Sequence, residues 1–368
     1  MSLKFRAVQF TSAASPLLIK EDQLNVEKDS NGNYVVDPTK VLVKIKCAAL
    51  NPVDLVSKQT TPAPLAYKTK GIGYDYSGIV VGIGAEAEKN TGVKIGSKVC
   101  GMFQEVFGRG TLAEYALMDT ATSSGASIHE FPEGLTFQEA ASYPLVLGTA
   151  VLMFTKIQKQ NKKRRILILG AGTSVGKFCV QIAKNVYGFE DVVTTCSPAS
   201  VDLVKSLGGN TWIDYTAWDS ILDPVLELVG MKGKFDVIFD CAGNSDLFPQ
   251  MSNILVGRKE GGTYVTISGD FKYSYSTPTT AQLIWNNIGL PKRLLESKVG
   301  WLDYSYDFAA VLKSMYPWQK VCKEYIADKK VKLTIDSVYP FVEFDKAYDR
   351  LGSNKANGKV VVNVEDDA

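Results

Sequence analysis

Residues 164–184, RRILILGAGTSVGKFCVQIAK, leave the chain few ways to fold. An apolar run from Arg165 to Leu169 ends at Gly170, the loop Gly170-Ala-Gly172-Thr-Ser-Val-Gly176 follows, and an amphipathic stretch from Val175 to Val186 begins at once. This order predicts a buried strand, a tight turn and a helix in register, the first βα unit of a parallel sheet. Glycine in such a loop permits φ > 0 and removes the Cβ that would block a pyrophosphate, while the N–H groups of the helix start point at the anion. Gly170, Gly172, Thr173, Ser174, Val175 and Gly176 are therefore the candidate dinucleotide contacts. The spacing, GxGxxxG, is one residue longer than the general fingerprint.

The texture on either side differs. From Lys4 to about Ser142, short β-branched or alternating runs (Val41 to Cys47, Ser77 to Gly84, Ser97 to Met102, Thr111 to Met118) are separated by Gly, Pro and Asn, which predicts a mostly-β unit. Beyond Tyr143, continuous apolar strands at 165–169, 192–196, 235–241 and 263–268 alternate with helices at 175–186 and 199–206. That alternation predicts a doubly wound parallel sheet covered on both faces. The last fifty residues return to short strands, 331–339 and 359–364, around a helix at 344–351. The expected plan is α/β: a β-rich first part over 1–142, an inserted parallel-sheet domain over 143–318, and a return segment over 319–368.

A site for NAD usually carries Asp or Glu at the end of the second strand, about 20 residues beyond the loop, to hold the ribose diol. Here that place reads Thr194-Thr-Cys-Ser197. Without a carboxylate a 2′-phosphate is not repelled, and Ser197, Ser200, Lys205 and Tyr215 supply donors and charge, so NADPH is the expected coenzyme.

Composition removes other classes. Forty-one basic and thirty-nine acidic residues leave a net charge of +2, no basis for nucleic-acid binding. The single histidine, His129, gives little room for triads or His-rich metal sites and reads as a surface or packing residue. The six scattered cysteines read as reduced core thiols of a cytoplasmic protein, Cys179 and Cys241 among them. No apolar run reaches the roughly 18 residues of a spanning helix, and the N-terminus lacks the pattern of a signal peptide.

Several segments resemble the zinc-independent quinone-oxidoreductase branch of the medium-chain dehydrogenase/reductase superfamily, fungal members above all. They are Ala48-Ala-Leu-Asn51-Pro-Val-Asp54, Gly73-Tyr-Asp75-Tyr-Ser-Gly78, Gly96-Ser-Lys-Val-Cys-Gly101, the 170–176 loop, Leu203-Val-Lys-Ser-Leu-Gly208, Phe235-Asp-Val-Ile-Phe-Asp-Cys-Ala-Gly243 and Asn357-Gly-Lys-Val-Val361. The resemblance implies a GroES-like catalytic domain, an inserted Rossmann domain and a homodimer. It also implies hydride transfer from NADPH to quinones, α,β-unsaturated carbonyls or related lipophilic carbonyls. Asn51 would be a donor near the nicotinamide, and Thr149, Cys241, Ser268 and Lys359 would border the cofactor. Zinc-dependent relatives place Cys where this chain has Asn51 and His where it has Tyr74, so the expected metal content is none. Enoyl-thioester reductases of the superfamily place a tyrosine acid where this chain has Pro62, and Tyr67 is the candidate substitute.

Two readings remain side by side. Asp54 and Asp75 each follow a turn residue and are expected to cap backbone N–H groups rather than act as an acid–base pair. The aromatic-rich segment from Asp270 to Trp318 is expected to form a pocket wall or a dimer edge. The alternative is a surface resting on membranes or lipid droplets, with Leu283, Ile284, Trp285, Ile288 and Leu290 dipping in, as suits a catalytically weak NADPH-binding sensor or adaptor.

Overall fold

A computed structural model of the chain describes residues 2–61, 69–103, 108–121, 126–157, 165–271, 279–310 and 318–365. It divides into two compact units, one holding the chain up to Leu145 and again from Leu333, the other running from Val146 to Lys332 apart from a short excursion.

The second unit is built on six strands, all paired in parallel. Across the sheet they run Thr211–Asp214, Asp191–Cys196, Arg165–Leu169, Val237–Asp240, Thr263–Thr266 and Ser305–Phe308. Numbered along this unit, that is the order 3-2-1-4-5-6 of a doubly wound dinucleotide-binding sheet. The first strand, RILIL, is buried along its whole length, as a central parallel strand covered on both faces must be. Its switch point, where the chain reverses direction across the sheet, lies between the ends of Arg165–Leu169 and Val237–Asp240.

The third strand, TWID, and the sixth are absent from the sequence reading; SYDF alternates weakly and carries a charge. Packing decides it: Tyr306 stacks on Tyr264 with ring centroids 5.4 Å apart, and both rings are buried. The aromatic segment therefore splits. Tyr304, Tyr306 and Trp318 are core residues, whereas Trp285 and Trp301 are 66% and 79% exposed.

In the first unit the eleven-residue strand Lys40–Leu50 is the hub of a seven-stranded sheet, pairing antiparallel with Asp75–Ile83, Tyr115–Asp119 and Lys359–Asn363. The return segment thus completes the sheet that the N-terminal part began. A separate sheet pairs Ser2–Phe10 with Leu18–Asn25. The return occurs at Leu333 rather than at the expected residue 319. The helix Trp318–Ala327 stays with the second unit because Trp318 packs so closely on Gly148 that a Cβ there would meet its ring at 2.8 Å.

Candidate functional site

In the second unit the glycine loop has the geometry that its spacing predicts. Gly170 adopts φ +72°, a left-handed conformation, and a Cβ on it would lie 2.6 Å from the Ala242 Cβ. The loop is anchored to the second strand: the Gly170 N–H donates to Thr195 Oγ1 and the Ala171 N–H to the Thr195 carbonyl, both at 2.9 Å. Thr173 caps the helix Ser174–Asn185, its Oγ1 accepting from the Gly176 N–H at 3.0 Å. A Cβ on Gly176 would collide with the Gly170 carbonyl, so this glycine is required by close helix–strand packing. The first N–H groups of the helix have no intrahelical acceptors, and residues 172–174 beside them are half-buried.

Gly172 faces Ser200, whose Oγ would lie 3.0 Å from a Cβ at that position. Ser197 precedes the helix Pro198–Ser206 at the end of the second strand, and Tyr215 is 39% exposed just past the third strand. Lys205 differs from expectation: its ammonium sits 5.7 Å over the Trp212 ring. The nearest carboxylate in register is Asp214, which pairs with Cys196 across the sheet and accepts from both the N–H and the hydroxyl of Thr216.

Sequence reasoning missed Asp240. This carboxylate ends the fourth strand, is 1% exposed, and accepts from the N–H groups of Ala242, Gly243 and Asn244 at 3.0, 2.8 and 3.1 Å and from the Tyr264 hydroxyl at 3.2 Å. Burial pushes its pKa up, against the pull of those donors. The carboxylate shapes the loop 241–244, which touches Gly170 on one side. On the other side it touches Ser268, whose Oγ would lie 2.9 Å from a Cβ on Gly243. Gly170, Cys241 and Ser268 are thus brought together at the switch point. Thr149 lies buried in the helix Pro144–Thr155 of the same unit.

The first unit holds a second polar cluster. Asn51 precedes the helix Pro52–Gln59 and is fully buried. Its side chain donates to the Ala49 carbonyl at 3.3 Å and to Asp75 Oδ2 at 2.9 Å, and its Oδ1 accepts from Lys359 Nζ at 2.6 Å. Lys359 also pairs with Asp75 Oδ2 at 2.9 Å. Both amide hydrogens of Asn51 are therefore engaged, and the Lys359 ammonium is taken up by Asn51 and Asp75. Both are members of a buried network. Asp54 caps as expected, accepting from the Asn51 N–H at 2.7 Å and the Gly73 N–H at 3.0 Å, and burial lifts its pKa to about 7. Asp75 accepts from the Leu145 N–H, but its second oxygen serves Lys359, which sequence did not suggest. Tyr74 shares a 3.3 Å contact with Ser57 Oγ. Tyr67 and Pro62 lie outside the described residues. His129 packs in this unit, its Nε2 3.0 Å from the Tyr143 hydroxyl and 3.5 Å from Cys100 Sγ.

Comparison with known proteins follows this geometry. Residues 37–127 match the alcohol dehydrogenase GroES-like domain, and residues 207–362 match the family described as zinc-binding dehydrogenase. Protein YIM1-1 of Lachancea thermotolerans is 34% identical over 376 residues, covering 99% of each chain. The chain belongs to the medium-chain dehydrogenase/reductase superfamily. As a member it is an oxidoreductase with a fold for NAD(P). Among solved structures, the quinone oxidoreductase from Coxiella burnetii has the same fold, with a TM-score of 0.71 at 21% identity over 99% of this chain and all of that one. So does a mycobacterial protein solved in complex with NADPH, with a TM-score of 0.66 at 16% identity over 98% of this chain and 99% of that one.

The family description names zinc for residues 207–362, whereas Asn51, Tyr74 and Asp75, at and beside the places where the resemblance puts the ligands of zinc-dependent relatives, lie outside that match and do not fit the metal. They are an amide, a phenol and a carboxylate already paired with a buried ammonium, which would face any added cation at hydrogen-bond distance. A tetrahedral zinc site takes Cys, His or carboxylate ligands. Among the described residues no group of three or more His, Cys, Asp or Glu side chains is placed to hold a metal ion. Nor is any described helix long and apolar enough to cross a membrane.

Proposed function

We propose that this oxidoreductase is an NADPH-dependent, zinc-independent reductase of quinones, α,β-unsaturated carbonyls or related lipophilic carbonyls. The observation that carries the reading is the end of the second strand: Ser200 stands there beside Gly172, Ser197 precedes the helix that carries it, and Asp214 is turned to Thr216. A 2′-phosphate meets hydroxyl donors at that place rather than a facing carboxylate.

When bound, the coenzyme supplies a hydride; the rest is done by the chain. The N–H groups of Ser174 and Val175 and the loop from Gly170 to Gly176 hold the diphosphate, with Thr173 fixing the helix start. Ser197, Ser200 and Tyr215 hold the adenosine end. Cys241, Ser268 and Thr149 border the nicotinamide end. The network of Asn51, Asp75 and Lys359 locks the start of the helix Pro52–Gln59, and the chain beyond that helix carries Tyr67, the proposed proton donor. A tyrosine of ordinary pKa, about 10, is protonated at neutral pH and can donate to an oxyanion that forms as hydride arrives at carbon.

The test is a titration of NADPH and NADH by quenching of tryptophan fluorescence, followed by NADPH oxidation with a panel of quinones and enones. The expected result is tighter binding of NADPH, turnover of at least one acceptor, and loss of both in Gly172→Val. Equal affinity for the two coenzymes, or no turnover at high enzyme concentration, overturns the reading.

A second reading is favoured by one observation. Ile284, Trp285, Ile288, Leu295, Val299 and Trp301 are each at least half exposed along the helices Thr280–Asn286 and Gly289–Val299, the turn between them and the residue pair after them. Such a row suits a protein that rests on a lipid surface. Flotation with liposomes tests it; a protein that stays at the bottom of the gradient with and without NADPH removes it.

A further inference from the structure

Three sulfur atoms from three separate segments meet inside the second unit. Cys179, midway along the helix Ser174–Asn185, directs its thiol at Met153 Sδ, 3.8 Å away on the helix Pro144–Thr155. Cys241, the first residue after the strand Val237–Asp240, directs its thiol at Cys179 Sγ at 4.0 Å. Each thiol proton thus points at sulfur. Cys179 is fully buried and Cys241 is 6% exposed.

Those separations have a chemical meaning. With metal–thiolate bonds of about 2.3 Å, two sulfurs on a three-coordinate ion stand about 4 Å apart. The two edges that Cys179 makes, 3.8 Å to Met153 and 4.0 Å to Cys241, match that spacing, and an ion held by all three sulfurs also needs Met153 Sδ and Cys241 Sγ at about the same separation. A disulfide between Cys179 and Cys241 would instead require closure to about 2 Å. Two thiols and a thioether in apolar surroundings form a soft donor set, which selects Cu(I) over Mg²⁺, Ca²⁺ or Mn²⁺.

We propose that Met153, Cys179 and Cys241 form a binding site for a soft monovalent cation of the Cu(I) class. The ion takes the place of thiol protons, releasing one to solvent for each thiolate it binds, and no electron is transferred. The ion would join the helix that starts at the glycine loop to the loop that follows Asp240.

The experiment is an anaerobic titration of the reduced full-length protein with the acetonitrile complex of Cu(I) in competition with bicinchoninate, followed by X-ray absorption at the copper edge. One tightly held equivalent with three sulfur neighbours near 2.3 Å is expected. Cys179→Ala should lower the affinity by more than about 100-fold, beyond the cost typical of losing a mere orienting partner. Cys47→Ala should leave it unchanged, and Met153→Leu should reduce the sulfur shell from three to two. Should Cys179→Ala fail to fold by circular dichroism, Met153→Leu decides alone. No uptake against the competitor overturns the proposal, as does unchanged uptake in folded Cys179→Ala or an unchanged shell in Met153→Leu. A nitrogen neighbour would place copper at Cys100 and His129 and overturn it equally.

Discussion

Replacing Lys359 with Met should open the first unit without touching the second. Lys359 Nζ lies 2.9 Å from Asp75 Oδ2, and the two side chains are 4% and 0% exposed. At that distance and an effective dielectric constant of about 20, the attraction is roughly 6 kcal/mol, and withdrawing both ions from water costs several kcal/mol in return. Removing the ammonium alone leaves that cost for Asp75 unanswered, and breaking a buried pair in this way typically destabilises by about 3–5 kcal/mol. The lower end applies here, because Asn51 Nδ2 and the Leu145 N–H still donate to the carboxylate. The expected loss is about 3 kcal/mol, and Asp75→Asn with Lys359→Met should recover most of it by removing the orphaned charge. All five tryptophans, Trp212, Trp218, Trp285, Trp301 and Trp318, belong to the second unit, so their fluorescence does not report this loss. Hydrogen exchange in peptides spanning 40–50 and 359–363 does, and about 3 kcal/mol corresponds to roughly 100-fold faster exchange there. Less than about a fivefold change, or a double variant as labile as the single one, would refute the reasoning.

Three further outcomes follow from the same contacts. Burial holds Asp54 at about 7, above its ordinary 3.8, so the unfolded chain releases this proton first. The stability that Asp54 contributes is therefore present at low pH and lost as pH rises from about 4 to 7, and Asp54→Asn should flatten that slope when exchange of the first unit is compared at pH 5 and pH 8. Gly170→Ala forces a side chain into φ +72° and against Ala242, and should cost about 1–3 kcal/mol in urea unfolding followed by tryptophan fluorescence. A midpoint like that of the native chain would contradict the loop geometry. Asp240→Asn removes the charge that gathers three N–H groups and should cost about 2 kcal/mol, with weaker NADPH binding by fluorescence titration.

The two-part architecture was legible because its signals are local. A five-residue apolar strand, a glycine loop and a capped helix follow one another within 165–185, and the parallel sheet that they predict is observed. What escaped was decided by distant partners. Ser305–Phe308 is a strand because Tyr306 finds Tyr264, some forty residues earlier. Trp318 stays with the second unit because of Gly148. The pairing of Lys359 with Asn51 and Asp75, which precede it by about three hundred residues, is likewise set by the fold.

Asp54, Asp75 and Asp240 share a design, which the sequence suggested for the first two and did not show for Asp240. Each is a buried carboxylate beside a strand end or helix start, and each accepts from backbone N–H groups: Asn51 and Gly73 for Asp54, Leu145 for Asp75, whose other oxygen serves Asn51 and Lys359, and 242–244 for Asp240. In sequence each is an isolated acid, and its value appears only when the turn closes around it, since a buried ionised group is tolerated only with such donors. For Asp240 the consequence reaches the coenzyme loop, because the turn it gathers is the one that confines Gly170. The binding defect expected of Asp240→Asn is therefore indirect. It should appear as faster coenzyme release and faster hydrogen exchange across 241–244, with the preference between NADPH and NADH unchanged. A changed preference would place Asp240 in contact with the coenzyme and break the argument.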